Sequence, residues 1–229
     1  MKKREIQVEI VSDVVCPWCY IGKRRFERAV DELKSEYDIS VTYSPFELNA
    51  EMPKEGVDQK AYLVKKFGSE EKFRQLTNNV VNTAKLEGLS FDFDQQRISP
   101  NTRDAHRIIA FAKVAGKQAE VNEAFMKAYF EDGIDLSKND NLIRIAVEAG
   151  LEKEEVTDLL NSDKGIDEVE LAEGMNHQRG ISGVPFFIIN NKYGLSGAQP
   201  TETFIKVLTE IGDQVVLAGE TCDPEQKDC

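Results

Sequence analysis

The stretch Cys16-Pro17-Trp18-Cys19 constrains this chain more than any other feature, because it joins an alternating apolar strand over residues 6–15 to a helical segment over 21–36. A cysteine at a strand-to-helix turn lies among unpaired backbone N–H groups at the positive end of the helix dipole, which favours thiolate over thiol. Cys16 is therefore the expected nucleophile. Cys19 follows about one turn later on the same face, near enough to close a disulfide and better shielded from solvent, and is the expected resolving thiol. Pro17 suits the first helical turn, where its fixed φ is already helical and its missing N–H has no partner to lose. The same spacing serves half a zinc site, which would require two further ligands. The other residues of that kind are His106, His177, Cys222 and Cys229. Placement at a helix start favours redox chemistry, and no metal ligand is assigned.

A chain of 229 residues builds a core without covalent staples, so its 4 cysteines point to chemistry rather than scaffolding. Its 29 basic and 41 acidic residues leave a net charge of −12, which opposes binding to nucleic-acid phosphates and anionic membranes. The basic start Met1-Lys2-Lys3-Arg4 runs into a stretch interrupted by Gln7, Glu9 and Asp13 rather than an apolar secretory core, and no apolar run approaches membrane-spanning length. The expectation is a soluble, cytoplasmic protein without nucleic-acid or membrane partners.

Strand signals cluster at the two ends. Ile6, Val8 and Ile10 alternate with polar residues, and a second strand follows the first helix over 39–43, which is the order of a parallel crossover unit. Beyond residue 55 the pattern is helical over 61–67, 70–87, 102–115, 118–131, 141–149 and 153–160, with Ala105, Ile108, Ile109 and Ala112 spaced as one buried face. A strand returns over 184–189, a turn over 190–194 leads to its partner at Leu195, and a last helix over 201–211 has Thr201 as its expected N-cap. From Gly219 to Cys229 the sequence is a polar tail.

This order, with Cys-Pro-Trp-Cys at the first helix and Gly183-Val184-Pro185 ahead of the hairpin, resembles the DsbA family of thioredoxin-fold oxidoreductases. The segment Asp13-Val14-Val15-Cys16-Pro17-Trp18-Cys19-Tyr20-Ile21-Gly22, Asn101-Thr102 with Ala105-His106, and Ser196-Gly197-Ala198-Gln199-Pro200 are similar to the FrnE-like subgroup. The resemblance implies an α/β, thioredoxin-like fold with a large all-helical insertion: residues 1–55 and 170–213 as a discontinuous thioredoxin-like domain, 56–169 as the inserted helical domain and 214–229 as a C-terminal tail. It also implies a cis-proline loop at Val184-Pro185, facing the cysteines and offering free backbone groups to an extended substrate.

The implied chemistry is thiol–disulfide exchange at Cys16 and Cys19 on disulfide- or thiol-bearing proteins or small thiols, with Pro185 beside the mixed disulfide and Pro17, Trp18 and Val184 contacting substrate. An unidentified reductase or oxidase would recycle the pair. Relatives of this fold commonly carry a buried carboxylate six residues before the first cysteine, but Ile10 stands there. Asp13 is the substitute relay, or else a turn residue accepting backbone N–H groups. His106 is expected against the active-site face, where an imidazolium would support a thiolate or substrate, or else as hydrogen-bonded packing; Asn101 caps its helix. No cofactor beyond the redox-active disulfide is expected, with glutathione a possible co-substrate. The alternative is a glutathione-dependent small-molecule isomerase or transferase of the kappa-class or chromene-carboxylate type, enzymes that usually carry serine in place of Cys16 and lack Cys19. Cys222 and Cys229, joined by a turn-prone spacer, are expected to form a reversible accessory disulfide that exchanges with the Cys16/Cys19 pair.

Overall fold

A computed structural model describes residues 3–219. The core is a four-stranded sheet in the order β2-β1-β5-β6. Strand β1 (Arg4–Ser12) runs parallel to β2 (Tyr37–Pro45), with Ile6, Val8 and Ile10 opposite Ile39, Val41 and Tyr43. On its other side β1 pairs antiparallel with β5 (Phe186–Ile189), which pairs antiparallel with β6 (Tyr193–Ser196). The period-two alternation of β1 decides which side chain meets which layer. Ile6, Val8 and Ile10 pack with Phe26, Ala29 and Leu33 of helix α1 (Pro17–Leu33) and with Phe204, Leu208 and Ile211 of the final helix, whereas Val11 faces Phe46, Ile181 and Ile188 on the opposite side. Phe26, Phe187 and Phe204 form a triangle with ring centroids 4.7 to 5.5 Å apart. Each such ring, buried in full, contributes roughly 1.5–3 kcal/mol.

Between β2 and β5 the chain is mostly helical. Short strands β3 (Val57–Asp58) and β4 (Ile98–Ser99) pair antiparallel and bracket α2 (Gln59–Phe67) and α3 (Glu70–Leu86). Helices α4 (Arg103–Ala112), α5 (Gln118–Phe130), α6 (Asn139–Glu148), α7 (Lys153–Leu160) and α8 (Ile166–Gln178) follow. Their shared core includes the expected stripe of Ala105, Ile108, Ile109 and Ala112, and it also takes in Cys16, Cys19 and Tyr20. The cysteine pair, with Tyr20 and Ile21, thus belongs to the core of the helical insertion, while Phe26, Ala29 and Leu33 of α1 pack on the sheet.

Several boundaries differ from expectation. Helix α1 begins at Pro17 rather than 21 and stops at Leu33. The sequence shows no signal for α8, because its apolar residues do not form one stripe: Val169 is buried while Leu171 and Met175 face solvent. Helix α9 spans Thr201–Gly219, so the expected tail from 214 is helical for its first turns. Thr201 does not act as the expected cap; its hydroxyl donates to the Arg25 carbonyl at 3.2 Å, and the Pro200 carbonyl receives the first helical N–H groups. The hairpin turn is shorter than predicted, because β6 already begins at Tyr193 and the sharp reversal is made by Asn190 and Asn191 with φ of 51° and 54°. Asparagine tolerates this left-handed region, which bulkier residues avoid. Cys222 and Cys229 lie outside the described residues.

Candidate active site

The chain leaves β1 through a turn closed by the Cys16 N–H donating to the Asp13 carbonyl at 3.1 Å. Cys16 is the N-cap of α1, with extended backbone angles and Pro17 in the first turn, and its carbonyl accepts from Cys19 N–H at 3.0 Å. No side chain caps this helix end, so the first N–H groups point toward the thiol region. Both cysteines are free and buried, and shielding from bulk solvent therefore does not separate them as expected. What separates them is the groove above: Cys16 lines it and Cys19 does not. Burial, and then the neighbouring Cys16 thiol, hold the Cys19 pKa well above its ordinary value, against the opposing pull of the Asp13 backbone and the Ser12 hydroxyl.

The Val184–Pro185 peptide bond is cis. The loop sits over the start of α1, and the Cys16 thiol approaches the Val184 carbonyl oxygen at 3.7 Å. The Pro185 carbonyl accepts from Gly197 N–H at 2.8 Å, and α1 passes the Pro185 ring at Gly22, where an added methyl group would lie 3.1 Å from the ring. Two segments far apart in sequence are thereby brought together at one sulfur atom.

Asp13 is almost fully buried, and its carboxylate accepts from Leu48 N–H at 2.8 Å and Val15 N–H at 3.4 Å. Its backbone, rather than its carboxylate, is what Cys19 meets. His106 lies behind it, with Nε2 3.4 Å from Asp13 Oδ1 but without hydrogen-bond alignment. Burial opposes charge on His106, yet Asp13, and after it Glu173 and Glu47, outweigh that cost and raise its pKa. The structure thus sets His106 against Asp13 and not among the groove-lining residues, which differs from the substrate-contacting position expected for it. The reason is the turn of α4, which presents His106 to the β1–α1 loop. Sequence reasoning passes over Glu47, whose carboxylate accepts from Arg103 Nε at 3.0 Å beside this pair. The N-cap of α4 is Thr102 rather than the expected Asn101, which lies one residue outside and accepts Arg103 N–H at 3.0 Å. His177 packs against Phe46 with the rings tilted by 51° and centroids 5.6 Å apart.

Above Cys16 runs a groove of about 510 Å³, walled by the β1–α1 turn with Pro17 and Trp18, by Leu48 and Met52, and by α2, α3 and Gly183-Val184. Trp18 is 41% exposed at its rim. Among the described residues no group of three or more His, Cys, Asp or Glu side chains is placed to hold a metal ion, and no helix is long and apolar enough to cross a membrane.

A DSBA-like thioredoxin domain model matches residues 7–209. The chain belongs to that family. It is similar to the crystal structure of a probable DsbA oxidoreductase, SCO1869 from Streptomyces coelicolor, at 34% identity and a TM-score of 0.84, covering 98% of this chain and 94% of that one. It is 26% identical over 208 residues to YwbO of Bacillus subtilis, an uncharacterized protein, covering 90% of this chain and 96% of the relative. The cytosolic disulfide reductase DsbM from Pseudomonas aeruginosa, solved with GSH, shares the fold at 15% identity and a TM-score of 0.64, covering 90% of this chain and 98% of that one. Membership in the family and the mixed sheet with its helical insertion agree with the architecture implied by the sequence.

Proposed function

We propose that the chain is a thiol–disulfide oxidoreductase acting through Cys16 and Cys19. The observation that carries this reading is the Cys16 thiol at the start of α1, 3.7 Å from the Val184 carbonyl and open to the groove, with Cys19 buried behind it. In the reducing direction the Cys16 thiolate attacks one sulfur of a substrate disulfide; a Cys16–S bond forms, the substrate S–S bond breaks, and the departing thiolate takes a proton. Cys19 then loses its proton and attacks the Cys16 sulfur, which releases the second substrate thiol and leaves the Cys16–Cys19 disulfide. Two electrons have moved from the pair to the substrate. Reversal of the same steps oxidises a dithiol, and the pair's potential against that of its compartment sets the direction. We place the protein in the cytoplasm, which favours the reducing direction and a recycling reductase. Pro17, Trp18 and the Val184-Pro185 backbone would bracket the substrate sulfur, and glutathione is the candidate small-thiol co-substrate.

Reduction of a protein disulfide such as that of insulin, with dithiothreitol as recycling reductant, tests this reading. Turnover should vanish in Cys16→Ser, and turnover that survives in that variant would sink it. The glutathione-dependent isomerase or transferase reading finds some support in a groove of small-molecule size over Cys16. It predicts instead that glutathione-dependent turnover survives in Cys19→Ser, since a single sulfur then suffices.

A further inference from the structure

The groove above Cys16 is walled mainly by apolar side chains, among them Trp18, Met52, Leu63, Leu76 and Phe93. Set into one wall are polar side chains that no apolar substrate requires. Gln59, Gln96 and Tyr129 all line the groove and are each more than nine-tenths buried. They form a chain: the Gln59 amide nitrogen donates to the Gln96 oxygen and also lies 3.3 Å from the Tyr129 hydroxyl. This consumes the Gln96 oxygen. The Gln96 nitrogen has no hydrogen-bond partner in the protein, although Gln96 is only 4% exposed. With the Gln59 nitrogen facing the Gln96 oxygen, the spare end of Gln96 is its nitrogen. A buried amide donor left unmet is disfavoured and needs a reason for being kept in a groove wall. Lys66 lines the same groove, with its ammonium 5.6 Å from the centroid of the Tyr62 ring. A spare buried donor and a cation lining the same groove are complementary to an oxygen anion.

We propose that Gln96, oriented by Gln59 and Tyr129, is the substrate-selecting residue of this groove and receives a carboxylate oxygen of a small, largely apolar disulfide whose sulfur meets Cys16. This rests on the exchange reading above and names its substrate class. A pocket of this size, mostly apolar with a few convergent polar groups, holds one small molecule and fixes its orientation through those groups. Binding leaves the exchange chemistry unchanged: Cys16 forms a bond to one sulfur, and the other half of the substrate leaves as a thiol. The carboxylate decides which disulfide is held for that step.

Three matched probes test it: bis(3-carboxyphenyl) disulfide, diphenyl disulfide and bis(3-aminophenyl) disulfide. Each is mixed with the reduced full-length protein, and each rate is divided by that of the same probe with dithiothreitol. The carboxylated probe should be favoured over diphenyl disulfide by roughly tenfold or more, the worth of one hydrogen bond to a charged group. In Gln96→Leu that ratio should fall toward one. In Gln96→Glu, which has the same shape and still accepts from Gln59, the ratio should fall below one, because an oxygen replaces the spare donor. The Glu variant also reads the ratio if the Leu variant does not fold. A wild-type ratio of one, a ratio that survives in the folded variants, or a preference for the amino probe would overturn the subsite. The exchange reading has its own control: reaction of all three probes at equal normalised rates leaves exchange standing and removes only the subsite, whereas reaction of none, or undiminished reaction in Cys16→Ser, removes both.

Discussion

The Tyr20 hydroxyl donates to Glu123 Oε1 at 2.7 Å, which ties the residue after Cys19 to α5 of the helical insertion. Glu123 also takes Lys23 and Arg24 of α1, while Arg25 and Arg28 meet Glu87 at the end of α3. A run of four cations on the active-site helix is thus paired with two carboxylates from the insertion, and Glu27 of the same helix also meets Lys23 and Arg24. Replacement by Glu123→Gln leaves the Lys23 ammonium, 4% exposed, with Glu27 as its remaining acidic partner. Breaking a fully buried pair costs about 3–5 kcal/mol; since Glu123 keeps some solvent contact, a loss of roughly 1–3 kcal/mol is expected in urea unfolding. A change under about 0.5 kcal/mol, the usual size for surface sites, would mean that water already screens the cluster.

Removing the second thiol should separate the two chemical steps. In Cys19→Ser the Cys16 attack still occurs but nothing displaces the product, so covalent adducts through Cys16 accumulate and steady-state turnover falls to background. Mass spectrometry of the unreduced protein after exposure to substrate disulfide checks this. Adducts found on Cys19 of a Cys16→Ser variant, at wild-type rates, would reverse the assignment of nucleophile and resolving thiol.

Gly22 is the place where α1 passes the Pro185 loop. A methyl group there meets the Pro185 ring at 3.1 Å and Ala198 at 3.3 Å. Overpacking of this kind costs roughly 1–3 kcal/mol, and the gain in helix propensity from glycine to alanine returns about 1 kcal/mol. Gly22→Ala should therefore melt close to wild type yet exchange disulfides more slowly, because the loop is displaced from Cys16. Wild-type exchange rates would show that the loop yields without leaving the sulfur.

Stability should carry a pH signature of the Asp13–His106 contact. Burial works against charge on His106, but Asp13 beside it and the negative charges of Glu173 and Glu47 hold its folded pKa above the ordinary 6.5. A group raised in the folded state gives stability that is fully present below the unfolded value and is lost as pH climbs through the folded one. Unfolding free energy should fall from pH 6.5 upward, and His106→Asn should flatten that decline. Glu47, raised from 4.5 by burial and Glu173 against the pull of Arg103, begins its own decline from pH 4.5 and would keep it in the variant. An unchanged slope above neutrality in His106→Asn would assign the effect elsewhere.

Residues that stand in a motif are legible in the amino-acid sequence. Cys16, Cys19 and Pro185 announce themselves because a strand-to-helix turn and an X-Pro step ahead of a hairpin restrict the backbone locally. Asp13 is legible as a choice between two roles, and in the fold its carboxylate accepts backbone N–H groups. His106 is visible as a histidine beside an apolar stripe, but which neighbour it faces depends on how α4 rotates against the β1–α1 loop, which no local pattern encodes. Helix α8 escapes notice for lack of a single apolar face. The Gln59–Gln96–Tyr129 wall escapes it for a different reason: the β3–β4 pairing and α5 bring together residues that are ordinary polar choices in isolation, and only tertiary closure makes their burial apparent.

The contact between Cys16 and Val184 spans 168 residues of sequence, and this fixes an order of events at the ribosome. Synthesis delivers Cys16 and Cys19 early, and the whole helical insertion must emerge before β5 can dock on β1 and bring Pro185 to the sulfur. Throughout that interval the nascent chain carries an exposed dithiol without the loop beside its sulfur, so a cellular environment able to keep such thiols reduced protects this protein from being oxidised, or from being captured by a neighbour's disulfide, before its translation is complete.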